Sequence, residues 1–528
     1  MSETEKSLRR FERLRIEKAV YGGAGIARLA ANPATAGDSR DEGKPGDQRE
    51  TRKAVFVNFT LPGELIDARI TEDKGSFATA ALVDLIEPSA DRVPPCCPHY
   101  GVCGGCHYQH GSYQAQLEMK TAILRETLER AHLRDLPPIE ALGARSAKQT
   151  AGQSQTGPWI YRNRIRMHVA RTGQDIALGY REAGSHIVTG VVEAGSGCGE
   201  RLCPIAAPLL LEAAGALVRF AGQSQAAFGL LSECAEVELF CNAEESSLQL
   251  SLFLRSGGQA AKNPASGGPF KMLCDALKEY LPQLAGAGLY AVVAASREAP
   301  QRASRRSGAG ASPVLQQAAA WGTNVLLYYA AGFEYRVSRG SFFQVNRRMV
   351  DELVSLVVER RSGALAWDLY AGVGLFSRAL TSAFRHVVAV ESASPANKDL
   401  AVNLAGVGAT TVAASTLDFL REQTDKAVSA QRKPARGAKF KLSARQGTRQ
   451  IPGLVVVDPP RAGLGPDVCA LLAEVAAAEL VYVSCDPATL SRDLAALVKS
   501  GYQLRRLHLA DLFPQTFHIE TVVLLSRN

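Results

Sequence analysis

The hydrophobic pattern changes its period along the chain, and each change predicts a different architecture. From Leu14 to about Ile86, short apolar runs lie between turn residues, which predicts an OB-like β-barrel at residues 10–88. A glycine-rich and charged stretch at 32–51 has no periodicity, and we expect an inserted loop there. Residues 111–142 carry a helical period and are predicted to pack on the C-terminal domain.

A second region of alternation runs from residue 159 to about 330. Segments such as Ser247–Phe253 predict an antiparallel sheet with a helix at 204–220. We group residues 89–110 and 159–330 into one central domain. Its segment Tyr161–Arg164 either contacts phosphate or is a solvated edge.

From Ala364 onward, buried strands alternate with helices. This order predicts an α/β domain at 331–528 with a mostly parallel, Rossmann-like sheet. An insertion at 425–450 carries eight Lys or Arg residues against one acid. It is either a basic loop that contacts RNA phosphates or a plain solvated insertion.

Candidate chemistry lies where these strands end. Gly372 and Gly374 follow the first strand and allow a ligand to approach the backbone, while Glu391 ends the second strand, where an acid can bind ribose hydroxyls. Ser377 replaces the third glycine of a pyrophosphate fingerprint, which favours an adenosine ligand without a diphosphate. Cys485 follows a later strand and is either a nucleophile or a buried core residue.

The eleven cysteines are clustered, which in a reducing compartment points to metal binding or catalysis. Cys97, Cys103 and Cys106 are close in sequence, with Gly104 and Gly105 between the last two. Zinc and an iron-sulfur cluster both suit such a set. The fourth ligand is Cys203 or Cys198, and Cys96 could replace Cys97.

Charge and hydropathy narrow the class of protein. A net charge of +8 is compatible with a polyanionic partner but is weak support for one. No signal-peptide pattern and no uninterrupted apolar run of membrane-spanning length occurs, so we predict a cytoplasmic protein without a membrane partner. No obligate protein partner is evident.

Several ordered motifs together resemble the RNA uracil-C5 methyltransferase family. They are Gly340–Asn346, Asp368–Phe376, Asp458–Arg461, Ser484–Leu494 and Phe513–Glu520. The N-terminal barrel resembles a TRAM domain, and Cys97, Cys103, Cys106 and Cys203 resemble the family's [4Fe-4S] ligands. The resemblance covers nearly the whole chain except its insertions.

The resemblance implies a mechanism and its residues. Cys485 would add to carbon 6 of uracil, S-adenosylmethionine would methylate carbon 5, and Glu520 would remove the carbon-5 proton. The implied cofactor-binding residues are Gln344, Tyr370, Leu375, Glu391, Asp418 and Asp458. Large-subunit (23S) rRNA is the expected substrate and tRNA the alternative, with the target base in a loop or flipped out.

Two residues depart from the family pattern. Leu375 stands where relatives often have Asn, so only its backbone is expected to contact the cofactor. Asp486 stands where Asn is common, and its charge would disfavour a Cys485 thiolate unless Arg461 or Arg492 offsets it.

Two other functions fit parts of the sequence. An N-methyltransferase acting on nucleic-acid amines can also carry Asp-Pro-Pro after a strand, but it needs no thiol. A non-catalytic RNA-binding assembly factor would not need to retain both Cys485 and Glu520.

Overall fold

The computed structural model describes residues 11–29, 53–143, 157–193, 203–255, 267–293, 314–431 and 451–527. The predicted insertion at 32–51 lies outside these residues. The chain divides into two compact units, Met1–Glu126 with Phe513–His518, and Thr127–Leu512 with Ile519–Asn528. None of the described helices is long and apolar enough to cross a membrane.

The first unit is built on a six-stranded sheet with the order β1-β5-β6-β4-β3-β2. Its strands are β1 (Phe11–Arg15), β2 (Lys18–Ala19), β3 (Ala24–Arg28), β4 (Ala54–Asn58), β5 (Leu65–Asp73) and β6 (Phe77–Glu87). Alternate residues such as Val55, Val57, Ile66 and Ala68 are fully buried in one core, as the period-2 pattern predicts. The N-terminal region is therefore β-rich.

A helix and a distant segment of the chain complete this unit. Helix α1 (Tyr113–Arg130) begins in it, and the buried Gln116 donates to Gln515 Oε1 at 3.0 Å and accepts from Gln515 N at 3.0 Å. Lys120 Nζ donates to the Phe513 carbonyl at 3.0 Å. The Gln515 carbonyl accepts from His107 N and Tyr108 N. Phe513–His518 is thus part of the interior of the first unit.

The second unit contains a seven-stranded sheet with the order β10-β9-β8-β11-β12-β13-β14 and a separate hairpin, β15-β16. Helices α2, α3 and α4 pack on the sheet. The elements are β8 (Arg164–Thr172), β9 (Asp175–Arg181), β10 (Val188–Val192), α2 (Pro208–Gln223), α3 (Gln225–Ser232), β11 (Cys234–Cys241), β12 (Leu248–Leu254), α4 (Gly267–Tyr280), β13 (Leu284–Val293), β14 (Val314–Gly322), β15 (Val325–Ala330) and β16 (Phe333–Ser338).

The structure corrects the prediction of an antiparallel sheet in this region and decides against one interpretation of Tyr161–Arg164. The sheet is mixed, because β12 and β13 run parallel. Tyr161–Arg164 does not form a solvated edge. Asn163 is fully buried and donates to Tyr328 Oη at 2.8 Å and to the Gln344 carbonyl at 3.0 Å, while Arg164 lies over the Phe240 ring. Its polar side chains stabilise the interior, a use that sequence alone does not separate from phosphate binding.

The second sheet of this unit has eight strands in the order β19-β18-β17-β20-β21-β23-β22-β7. Its strands are β7 (Ile139–Leu142), β17 (Gly363–Leu369), β18 (Phe384–Val390), β19 (Ala409–Val412), β20 (Leu454–Val457), β21 (Glu479–Ser484), β22 (Gln503–Ala510) and β23 (Glu520–Ser526). Strands β17 to β21 are parallel, and β23 is antiparallel to both of its neighbours. The predicted α/β class of this domain is confirmed.

Among the described residues, six helices accompany these strands, as the alternating pattern predicts. They are α5 (Val350–Val358), α6 (Leu375–Leu380), α7 (Ala396–Asn403), α8 (Thr416–Gln431), α9 (Gly465–Val475) and α10 (Pro487–Lys499). Two boundaries differ from prediction. The segment 111–142 ends in strand β7, which pairs in parallel with β22, and the basic stretch 425–450 begins as the last turns of α8. Residues 432–450 lie outside the described residues.

Candidate active site

The candidate residues of the second unit collect at the carboxyl edge of the parallel sheet. Tyr370 follows β17, Glu391 follows β18, Asp458 follows β20 and Cys485 follows β21. The carboxyl ends of parallel strands meet at one edge, where ligands of open α/β sheets bind. Sequence-distant residues therefore converge because of topology.

Glu520 reaches the same edge from the opposite direction. It is the first residue of β23, whose antiparallel register pairs Thr521 with Ser484. This pairing sets the start of β23 beside the end of β21. Cys485, which is half-buried, and Glu520, which is 5% exposed, consequently lie next to each other.

The charges around Cys485 determine its protonation. Burial, together with the nearby carboxyls of Glu520 and Asp458, raises the pKa of the Cys485 thiol to about 11, while the Arg461 guanidinium opposes the rise. Burial and the charge of Asp458 hold the pKa of Glu520 well above its usual range, and Arg461 again opposes them. These surroundings favour the neutral form of the Cys485 thiol and of the Glu520 carboxyl group.

Two further carboxyl groups, those of Asp458 and Asp368, contribute to the electrostatics of this pair. Burial and the charge of Asp368 together raise the pKa of Asp458 to about 7. Asp368 is fully buried at the end of β17, and its pKa is likewise about 7, although Ser377 Oγ donates to its Oδ2 at 2.5 Å. Ser377 thus has a structural task at the position where a fingerprint glycine was expected.

The glycine loop after β17 is held by the acid at the end of β18. Gly372 N donates to Glu391 Oε2 at 2.9 Å, and Ala393 N donates to Glu391 Oε1 at 2.5 Å. Gly374 has φ +95° at the N-cap of α6, and a Cβ there would approach Leu400 at 2.8 Å. Only glycine fits this turn, which keeps the backbone open toward a ligand.

The remaining candidate cofactor residues differ in their surroundings. Tyr370 is half-buried in a left-handed conformation with φ 65°, and its pKa is raised by burial, while a hydrogen bond with Thr416 opposes that rise. Leu375 has a buried side chain, and its carbonyl accepts from Tyr335 Oη at 3.1 Å. Asp418 is exposed in the first turn of α8, where Ser415 Oγ donates to its Oδ2 at 2.7 Å.

Gln344 is buried in a segment that is held by Asp399, a carboxylate outside the predicted set. Asp399, fully buried on α7, accepts from Ser338 N at 2.7 Å, Ser338 Oγ at 2.7 Å and Ser341 Oγ at 2.8 Å. Asn346 Nδ2 donates to the Leu512 carbonyl at 2.9 Å. The sequence offers no signal that separates Asp399 from an exposed helical acid, because its burial is seen only in the structure.

The two cations considered for Cys485 have separate roles. Arg461 is the one whose charge acts on the thiol. Arg492 instead donates to Asp493 Oδ1 at 2.9 Å and to the Ala462 carbonyl at 2.9 Å. The Asp486 carboxylate accepts from Ala488 N and Thr489 N as the N-cap of α10. The sequence did not separate these roles, because all of the charges lie within one short motif.

The predicted metal ligands divide between the two units. Cys97, Cys103 and Cys106 are half-buried in the first unit, and Cys203 is buried in the second. Within the described ranges, no three His, Cys, Asp or Glu side chains are grouped closely enough to hold a metal ion.

Both the fold and the sequence are similar to those of known RNA methyltransferases. The fold matches a solved structure of Pyrococcus abyssi tRNA (uracil-54, C5)-methyltransferase in complex with S-adenosyl-L-homocysteine, with a TM-score of 0.61, 21% identity and coverage of 97% of this chain and 100% of that one. The two chains therefore share a fold.

Sequence comparison is more specific. The tRNA (Uracil-5-)-methyltransferase family model matches residues 323–528. A 23S rRNA (uracil(1939)-C(5))-methyltransferase RlmD of Halomonas elongata is 31% identical, over 90% of this chain and 85% of the relative. An uncharacterized RNA methyltransferase of Aquifex aeolicus is 29% identical, over 97% of this chain and 98% of its own. The chain belongs to the RNA uracil-C5 methyltransferase family and is an S-adenosylmethionine-dependent enzyme.

Proposed function

We propose that this enzyme methylates carbon 5 of a uridine in 23S rRNA through a covalent adduct between Cys485 and carbon 6. The observation that carries the proposal is the pairing of β21 with β23, which sets the thiol of Cys485 beside the carboxyl group of Glu520. A nucleophile and a base at one strand edge suit addition followed by proton removal.

The chemistry assigns each group one task. The Cys485 thiolate adds to carbon 6, and the electron pair of the 5,6 double bond moves toward the carbonyl at carbon 4. Carbon 5 then attacks the methyl carbon of S-adenosylmethionine, whose carbon-sulfur bond breaks to leave neutral S-adenosylhomocysteine. Glu520, as a carboxylate, accepts the carbon-5 proton, the double bond re-forms, and the thiolate leaves carbon 6.

The residues at the sheet edge suit an adenosine-containing methyl donor. The backbone turn at Gly372 and Gly374 leaves room for close approach, and the carboxylates of Glu391 and Asp458 favour hydroxyl donors and a cationic sulfonium. Tyr370, Leu375, Gln344 and Asp418 complete the proposed set.

The choice of 23S rRNA follows the names of relatives. RlmD proteins of Halomonas elongata and of Klebsiella pneumoniae, the latter 29% identical over 91% of this chain, are named as 23S rRNA methyltransferases. Transfer RNA is the alternative, because the family model and the Pyrococcus abyssi enzyme carry that substrate in their names. The test is to map 5-methyluridine in 23S rRNA and tRNA from a deletion strain.

Trapping tests the covalent step. RNA with 5-fluorouridine at the mapped site lacks the proton that Glu520 must remove, so the adduct should persist on a denaturing gel. The wild-type enzyme with S-adenosylmethionine should give this band, and Cys485→Ala should give neither band nor product. Methyl transfer by Cys485→Ala at the wild-type rate would overturn the mechanism.

We also infer, from their spacing and the family resemblance, that Cys97, Cys103, Cys106 and Cys203 bind a [4Fe-4S] cluster that shapes the RNA-binding part of the chain. The cluster takes no part in catalysis, because uracil methylation includes no redox step.

Adjacent cysteines supply a matched test of this inference. Anaerobically purified protein should contain iron and acid-labile sulfide, and Cys97→Ser and Cys103→Ser should lose most of both and weaken RNA binding. Cys96→Ser should keep them, since Cys96 is outside the proposed set. Equal iron content in Cys96→Ser and Cys97→Ser, or an iron-free variant with full RNA affinity, would contradict the assignment.

A further inference from the structure

A buried carboxylate outside the proposed catalytic set joins the two motifs that build the site. Asp493, on α10, is 1% exposed. Its Oδ2 accepts from Leu464 N at 2.7 Å and from Tyr482 Oη at 2.8 Å, and its Oδ1 accepts from Gly465 N at 3.3 Å. One side chain thus holds the turn after Asp458–Arg461, the strand before Cys485 and the helix after it.

Arg492 adds a second link to the same turn. Its guanidinium bonds Asp493 Oδ1 at 2.8 Å and the Ala462 carbonyl at 2.9 Å, and Thr489 Oγ1 donates to the Arg461 carbonyl at 3.1 Å. A Cβ at Gly463, which has φ +73°, would overlap the Asp493 carboxylate. The turn from Arg461 to Gly465 is therefore seated against the first two turns of α10.

Burying the Asp493 carboxylate has a free-energy cost, which its hydrogen-bond partners must offset. A carboxylate without solvent loses its hydration, and here backbone amides, a phenol and a guanidinium replace it. Asp493 touches neither Cys485 nor Glu520 through a hydrogen bond. What it fixes is the path of the chain on both sides of Arg461, whose charge acts on the thiol and on Glu520.

We propose that Asp493, supported by Arg492, is a positioning residue that keeps the Arg461 guanidinium beside Cys485 and Glu520, so that this cation stabilises the attacking thiolate. The proposal rests on the proposed role of Cys485 as the nucleophile. Loss of Asp493 should release the turn and move Arg461 away from the thiol. Cys485 would then be harder to ionise, although it remains in place.

The test measures the thiol directly and needs neither RNA nor methyl donor. The rate of Cys485 carbamidomethylation by iodoacetamide, followed by mass spectrometry of its own peptide, reports the thiolate fraction across pH 7 to 10. Arg461→Gln should slow labelling about tenfold at a fixed pH, as removal of one nearby cation predicts. Asp493→Asn should reproduce most of this loss.

A double-variant comparison isolates the link. If Asp493 acts through Arg461, the Arg461→Gln and Asp493→Asn double variant should label no more slowly than Arg461→Gln alone. Arg461→Lys should restore part of the rate, because it keeps the charge. Asp467→Asn is the matched control, since this acid is exposed in the first turn of α9 and should leave labelling unchanged.

The measurement separates positioning from plain stabilisation. A merely structural Asp493 would lower the melting temperature of Asp493→Asn without shifting the pH profile of labelling, and that result would overturn the proposal. If Asp493→Asn does not fold, Arg492→Gln removes the guanidinium contacts with the Ala462 carbonyl and with Asp493 Oδ1 but leaves the Asp493 bonds to Leu464 N and Tyr482 Oη, and it should shift the profile by a smaller amount. Wild-type labelling in Arg492→Gln, given an unfolded Asp493→Asn, would count against it as well.

Failure of this proposal is distinguishable from failure of the mechanism. Adduct formation by wild-type enzyme with 5-fluorouridine RNA tests Cys485 as nucleophile. The labelling profiles test only which groups set its reactivity.

Discussion

The candidate functional cysteines of this chain lie in two different kinds of surroundings. Cys485 ends a strand of the parallel sheet, where pairing with β23 brings Glu520 to it. Cys97, Cys103 and Cys106 lie in a segment without regular strands or helices, and their fourth proposed partner, Cys203, belongs to the other compact unit. The first site is assembled mainly by the backbone pairing of strands, whereas the proposed second site would depend on side chains that meet around a metal.

The difference concerns how a site is specified. A strand-end site exists once the sheet has formed, because topology fixes which residues meet. A metal site made of thiols has no backbone pairing to hold it, and its ligands repel one another when ionised unless a cation is bound. The strand-end site is therefore stabilised by the fold itself, whereas the proposed cysteine site would draw its stability from metal binding.

The largest expected effect comes from removing the base. Glu520→Gln keeps the shape of the buried side chain but cannot accept the carbon-5 proton, so turnover should fall about 10²- to 10⁴-fold, the usual contribution of a general base. With ordinary uridine RNA and S-adenosylmethionine, the methylated adduct should accumulate on a denaturing gel. A Cys485→Ala and Glu520→Gln double variant is the control and should show no adduct. Wild-type turnover in Glu520→Gln would assign the proton to another group.

The pH dependence of thiol labelling is the next largest effect. Because burial and neighbouring carboxyls raise the pKa of Cys485 to about 11, its thiolate fraction should grow with pH throughout the neutral and mildly alkaline range. Labelling of Cys485 by iodoacetamide should rise about tenfold per pH unit and level off only near that pKa. A plateau below pH 8 would show that the cation effect of Arg461 exceeds that of the carboxyls.

A chelator should separate the two cysteine groups by a smaller factor. If Cys97, Cys103 and Cys106 bind a metal, their labelling should increase several-fold after iron is removed, because bound thiolates are not free nucleophiles. Cys485 should label at the same rate before and after, and serves as the internal reference. If the chelator leaves the labelling rates of Cys97, Cys103 and Cys106 unchanged, these residues held no metal.

The positions of the strand-end residues can be predicted from the sequence for a physical reason. Strand runs such as Leu454–Val457 are continuously apolar because both faces are covered, so the residue after each run is placed by the sheet. The prediction of Glu520 came from the family resemblance, and the register of β23 explains where this residue lies. Its neighbourhood with Asp458 and Arg461 could not be derived, because charge proximity depends on side-chain packing.

Other features depend on contacts between distant residues. Gln515 joins the first unit through Gln116, almost four hundred positions away, and no local pattern indicates that contact. Asn163 and Arg164 look like phosphate-binding residues in sequence, yet Asn163 is fully buried and Arg164 donates to the Ser341 carbonyl. Asp493 lies inside a matched motif, but its partners Leu464 and Tyr482 are contributed by separate elements.

The smallest effect should come from Asp486, the acid beside the nucleophile. Its carboxylate caps α10 by accepting from Ala488 N at 3.0 Å and Thr489 N at 2.9 Å, and Asn caps helices about as well as Asp. Asp486→Asn should therefore keep activity within about threefold of wild type at neutral pH, or raise it slightly, since one negative charge near the thiol is removed. Asp486→Ala removes the cap and should lower the free energy of unfolding by about 1 kcal/mol. Comparing both variants by methyl-transfer rate and by urea unfolding separates charge from capping, and a large activity loss in a stable Asp486→Asn would show that the carboxylate has a direct role in the reaction.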